Sequence, residues 1–223
     1  MRRLRWLAVL CLAWSAPTLA VSVDNQPSAG TPSPADGHML AGAQFFRDER
    51  YAEALVEFRA AEKTAGGDPG AAWYVASTLV KLKRPEDALV AFSRADSVAP
   101  RERDGLFDYY RALACYEARL YLCADRLLAA VGDDPGPRIA AQARQIRRDL
   151  GAVVSASPST AAIDWYHAKG QAALKAERPA LAAAYFDEAA ALAALRSDRH
   201  RRAEALEAAV HAHRSTAPER GRP

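Results

Sequence analysis

The sequence predicts an all-α fold of stacked helical hairpins: about four two-helix repeats, one extra helix and a C-terminal capping helix. Three observations carry that prediction. From Ala35 onward apolar residues recur at three- and four-residue intervals and β-branched runs are missing, the pattern of amphipathic helices rather than strands. The stretch KRPEDALVAFSRADSVAP (Lys83 to Pro100) is echoed by ERPALAAAYFDEAAAL (Glu177 to Leu192) and, more faintly, by ERYAEALVEFRAAEK (Glu49 to Lys63). The first two copies along the chain are in register, since Ala54 and Ala88, Phe58 and Phe92, and Ala61 and Ala95 each lie 34 residues apart.

Residues 1–20 read as a secretory signal peptide. Arg2, Arg3 and Arg5 form a basic start, Trp6 to Trp14 is apolar throughout, and SAPTLA places Thr18 and Ala20 at the small-residue positions before a cleavage site. A spanning helix needs roughly 20 apolar residues, so this stretch is too short to be one. The expectation is therefore an exported chain, periplasmic or envelope-associated, with no membrane span once the signal is removed. Residues 21–34, VSVDNQPSAGTPSP from Val21, are rich in Ser, Pro and Gly and predict a flexible leader.

Three repeats follow over 35–135. In the third, Ala124 and Leu128 stand where the second has Ala88 and Phe92, and the RERDG linker absorbs the two extra residues. An extra helix is expected over 136–152, a fourth repeat over 153–195 built on Ala182, Phe186 and Ala189, and a capping helix with a basic tail over 196–223. Pro85 and Pro179 suit the first position of a helix, where a missing N–H is harmless, and Glu86 and Asp87 place negative charge on that helix's positive end. A single hairpin cannot bury its own apolar face, so the copies must stack.

Charge narrows the function classes. The chain has 30 basic and 27 acidic residues, and the three Arg of the signal leave 27 of each in the mature form. That balance argues against a nucleic-acid partner. Histidines His38, His167, His200, His211 and His213 are scattered, with no ligand spacing for a metal. No nucleophile motif, phosphate-binding glycine loop or zinc-protease motif is present, so the reading assigns no catalytic residue, no metal and no cofactor, and the chain is not expected to be an enzyme. Cys115 and Cys123 straddle the expected turn of the third hairpin. In an oxidising compartment they are either a disulfide or two small apolar residues.

The second helix of repeats one, two and four carries small, aromatic, small at i, i+4, i+7, and the first helix supplies a small residue twelve positions earlier: Gly42, Ala76, Ala112 and Gly170. Pro100 and Pro135 close repeats two and three. On these residues the chain resembles the tetratricopeptide-repeat (TPR) family over Ala35 to Leu195. The resemblance implies an α-solenoid whose first helices line a groove for a peptide or partner helix. Its groove positions fall on Phe46 and Arg47 with Met39 and Ala43, on Trp73 and Lys81 with Ser77 and Val80, and on Tyr109 and Tyr116 with Leu113 and Glu117. The fourth repeat offers His167, Gln171 and Lys175. The function implied is non-catalytic protein or peptide binding. The alternatives are a structural subunit that self-associates and an accessory factor that recruits a cell-wall enzyme.

Overall fold

The computed structural model describes residues 33–64, 69–99, 104–133, 135–156 and 158–216, all within one compact unit, Pro32–Pro223. The expected signal, residues 21–32 of the leader, Pro100 and the end of the tail lie outside the described residues. Ten helices and no strand are found among the described residues: α1 Pro34–Arg47, α2 Tyr51–Lys63, α3 Ala71–Lys81, α4 Pro85–Val98, α5 Gly105–Glu117, α6 Tyr121–Ala130, α7 Pro137–Ser155, α8 Thr160–Lys175, α9 Pro179–Leu195 and α10 Arg199–Thr216. No described helix is long and apolar enough to cross a membrane. Helix α1 begins at Pro34, the last residue assigned to the expected leader. Ser33 and Asp36 cap that helix reciprocally, each accepting from the other's backbone N–H at 3.1 and 2.9 Å.

From α1 to α7 each helix packs against the next in chain order, and α8, α9 and α10 do the same. Within the hairpins α1–α2, α3–α4, α5–α6 and α8–α9, one pairing recurs sixteen residues apart: Gly42 with Phe58, Ala76 with Phe92, Ala112 with Leu128 and Gly170 with Phe186. The large member is fully or almost fully buried in every case. The two glycines are there because the partner ring lies against the helix backbone. A Cβ on Gly42 would meet the Phe58 ring at 2.7 Å, and one on Gly170 would meet Phe186 at 2.5 Å. The absent side chain admits an aromatic ring, and the ring fills what would otherwise be a cavity.

The turns are copies too. Glu49, Lys83, Arg119, Glu177 and Ser197 all take positive φ, between 56° and 65°. In each turn the next residue's N–H donates to a carbonyl five residues back: Arg50 to Phe45, Arg84 to Leu79, Leu120 to Cys115, Arg178 to Ala173 and Asp198 to Ala193, at 2.8–3.0 Å. This is a Schellman closure repeated five times, and it satisfies carbonyls that the helix end would leave unpaired. None of the five left-handed residues is glycine. The α9–α10 turn matches the other four, so α10 extends the hairpin rule beyond the expected fourth repeat.

One packing relation breaks the sequential order. α9 lies against α4 and α6 as well as against α8 and α10. It is buried over a wide arc, with Phe186 and Ala189 on one stripe and Leu181, Tyr185 and Glu188 on the stripe beside it. The chain after α7 thus returns onto the second and third hairpins.

Candidate functional site

Four of the six expected groove residues stay at the surface. Arg47 is exposed, its guanidinium bonded to the Gln44 side chain. Phe46 is half-buried, edge-on to Tyr51 at 5.3 Å and to Tyr110 at 6.2 Å. The Lys81 ammonium sits over the same two rings, 5.7 Å from Tyr51 and 5.8 Å from Tyr110. Helices α1, α2, α3 and α5 therefore bring Phe46 and Lys81 together with two aromatics the sequence did not single out. Burial lifts the Tyr110 hydroxyl to about 12, helped by the neighbouring Tyr51 and Tyr109 hydroxyls. Tyr116 is 41% exposed and lies edge-on to Tyr121 at 6.1 Å.

Trp73 and Tyr109, expected on the groove, are buried instead. They are only 7% and 8% exposed. Trp73 packs at 5.4 Å from Phe107 and 6.1 Å from Phe92, and its indole N–H donates to the Ala99 carbonyl at 3.0 Å, past the end of α4. Tyr109 donates to the Gln142 side chain of α7 at 3.1 Å, and burial raises its pKa. The physical reason is the same for both. α3 is hemmed in by α2, α4 and α5, and α7 covers part of α5, so the positions that a bare row of first helices would expose are roofed over. Ser77 and Val80, each 3% exposed, are enclosed for the same reason. The next residue along each helix is the freer one: Tyr74 is 37% exposed and stacks on Phe58 at 5.2 Å. A one-residue shift of the aromatic register was the available signal, and both Trp73–Tyr74 and Tyr109–Tyr110 are aromatic pairs that hide it.

Cys115 and Cys123 face each other across the α5–α6 turn as a disulfide pair, with Cα atoms 6.0 Å apart. Cys115 is fully buried, and Cys123 lies in the first turn of α6.

The return of α9 builds a second surface that the groove reading did not anticipate. Its polar contacts converge on the turn ends of hairpins two and three. Arg178 donates to Asp87 at 2.7 Å and to Glu86 at 3.3 Å, and the Tyr185 hydroxyl donates to Glu86 at 2.8 Å. The Tyr166 hydroxyl donates to the Arg119 carbonyl. Burial pushes the hydroxyl pKa values of Tyr166 and Tyr185 up, with nearby carboxylates adding to the shift. Deeper in, the Glu188 carboxylate accepts from the backbone N–H groups of Leu122 at 2.7 Å and Cys123 at 3.0 Å. It thereby caps the positive end of α6 from another helix. Glu188 is 3% exposed, and burial raises its pKa even though these N–H groups and Arg126 pull the other way.

Where α8 and α9 meet the two turns, a cleft of about 510 Å³ opens. Trp165, Lys169, Arg119 and Glu117 stand on its walls, with Tyr185 and Arg178 among the other lining groups. Trp165 is 42% exposed, and the Lys169 ammonium rests 5.4 Å from its ring centre. Among the described residues no group of three or more His, Cys, Asp or Glu converges as a metal-ligand set. No protein-family model matches the chain, and no similar protein was found among curated proteins or solved structures.

Proposed function

We propose that the chain is an exported, non-catalytic interaction module of the TPR type, acting in the periplasm or cell envelope. It holds an amphipathic peptide or partner helix on the surface where α1, α3 and α5 meet. Two structural regularities support the TPR-type reading: the sixteen-residue small–large pairing and the repeated turn between paired helices. The observation that carries the functional reading is the cluster of Phe46, Lys81, Tyr51 and Tyr110, with Tyr116 exposed further along α5. Half-buried rings beside cations suit a ligand that places apolar side chains on Phe46, Tyr110 and Tyr116 and carboxylates toward Arg47 and Lys81. Apolar burial supplies the bulk of the affinity at about 25 cal/mol per Å², and the two cations set the orientation of the bound chain.

A photo-crosslinking residue at position 47, compared with one at position 202 on α10, tests the reading in envelope preparations. The partner captured at 47 alone, once identified, supplies a peptide for calorimetry against the Lys81→Glu and Tyr116→Ala variants. Weakened binding by both supports the face; equal capture from both positions, or unchanged affinity, removes it. A second reading rests on α10, where Leu206 and Val210 are 43% and 47% exposed. These residues suit end-to-end self-association, which Leu206→Glu would abolish in a sedimentation series over concentration.

A further inference from the structure

The geometry points to a second, separate binding site: the cleft between α8–α9 and the turns of hairpins two and three takes a small monocarboxylate that carries a planar apolar body. Four features combine there. The volume, about 510 Å³, lies in the range of small-ligand sites and is too small to enclose a folded partner. The lining carries four cations, Arg84, Arg119, Lys169 and Arg178, against three carboxylates, Glu86, Asp87 and Glu117, a surplus of one positive charge.

The distribution of that surplus matters more than its size. Every carboxylate already has a partner: Glu86 and Asp87 are bridged by Arg178, Asp87 also by Arg84, and Glu117 by Lys83 at 2.6 Å. Arg178 and Arg84 are engaged in the same network. No carboxylate among the described residues pairs with the side chains of Arg119 or Lys169. Both line the same cleft as the exposed indole, and Lys169 rests against its ring, so the cleft offers a charge and a flat apolar shelf side by side. A monoanion neutralises the surplus, whereas a dianion such as a phosphate monoester would leave a net negative charge against Glu117 and Glu86. Arg119 supplies a planar fork for a carboxylate and Lys169 a movable point charge. Lys169 now rests over Trp165, and a planar ligand body replaces it there while the ammonium turns to the ligand's carboxylate.

The walls are held without the ligand. Tyr185 and Arg178 fasten α9 to the start of α4, and Tyr166 fastens α8 to the Arg119 carbonyl. The helices that carry the shelf therefore need no rearrangement before binding, and the Lys169 side chain is the part that moves. Trp165 lies edge-on to Tyr166 at 4.8 Å and to Tyr185 at 6.4 Å, with the ring still partly exposed.

Phenylacetate is the probe, followed by calorimetry and by the Trp165 indole resonance of the full chain, with phenylacetamide, phenethylamine and acetate as controls. Saturable phenylacetate binding is expected, with each control at least about tenfold weaker, because phenylacetamide and phenethylamine lose the charge-assisted contact and acetate loses the apolar burial of the ring. Lys169→Gln and Trp165→Leu should each weaken phenylacetate by about the same factor, and both positions are exposed enough for the fold to survive, which circular dichroism checks. Lys81→Gln, on the other surface, should leave it unchanged, so the loss of either site is read independently. The proposal is overturned if phenylacetate does not saturate, if phenylacetamide binds equally well, or if Lys169→Gln keeps full affinity. It also falls if an acidic decapeptide binds the cleft and phenylacetate does not.

Discussion

Replacing Gly170 by Ala tests whether the small–large pairing governs how closely each hairpin closes. On helix propensity alone the change should help, by about 1 kcal/mol. Packing opposes it. The new Cβ would stand 2.5 Å from Cε1 of Phe186 and 2.7 Å from Cδ1 and Cζ, where ordinary contact begins at 3.4 Å. Phe186 is fully buried, so its ring has nowhere to swing, and overpacking of this kind costs about 1–3 kcal/mol. The net expectation is a loss of about 1 kcal/mol. Phe186→Leu alone leaves a void and should cost about 1–2 kcal/mol. The double variant, however, reproduces the pairing that hairpin three already uses, Ala112 with Leu128, both buried. It should lose less than the two single changes together, by a coupling of about 1–2 kcal/mol. Urea unfolding followed by far-UV circular dichroism, at unchanged m-value, measures all four corners of the cycle. Additivity within about 0.5 kcal/mol would refute the reasoning, because it would mean that the glycine and the ring do not set each other's room.

Two further outcomes follow from the turns and from the buried acid. Glu177→Gly relieves a left-handed residue at φ 56°, and a gain of about 0.5–1 kcal/mol in thermal unfolding is expected after the entropy lost by glycine is subtracted; no gain would mean that the turn is unstrained. Glu188 has a raised pKa because it is buried, so between its ordinary carboxylate value and the raised one the folded chain holds a proton that the unfolded chain has lost. Stability therefore falls as pH rises through that window and stays lower above it. Relative to Glu188→Gln, which does not titrate, the wild type should lose ground from acid to neutral pH, and parallel stability curves would contradict the assignment.

The helical class and the hairpin register were legible because they depend on local spacing. Small residues must face large ones wherever two helices approach closely, and Gly42–Phe58 and Ala76–Phe92 write that rule into the chain directly. Pro85 and Pro179 marked helix starts for an equally local reason. The exposed face was less legible, since it depends on what covers it. Trp73 and Tyr109 satisfy the periodicity of a groove, but α7 and the ends of neighbouring helices close over them. The left-handed turn residues were hidden as well, because Glu, Lys, Arg and Ser carry no sign of positive φ, and only the equal distance of Glu49, Lys83, Arg119 and Glu177 from the small residue of the first helix betrays those four.

The return of α9 had a signature in the sequence, though one that a search for repeats passes over. Hairpin periodicity uses one face of PALAAAYFDEAAALAAL, the face of Ala182, Phe186 and Ala189. The adjoining stripe, one residue round the helix, is just as apolar, with Leu181 and Tyr185, and a helix that is apolar over so wide an arc belongs inside a structure rather than at its end. Glu188 is the one acid on that stripe, and a lone buried carboxylate requires donors from another element. The first turn of α6 supplies them through Leu122 and Cys123. The fourth hairpin is thus placed by the polar chemistry of its second helix as much as by stacking. The same return that lays α9 along α4 and α6 brings Trp165 and Lys169 into one cleft with Arg119, so the cleft exists because the chain does not continue as a simple row.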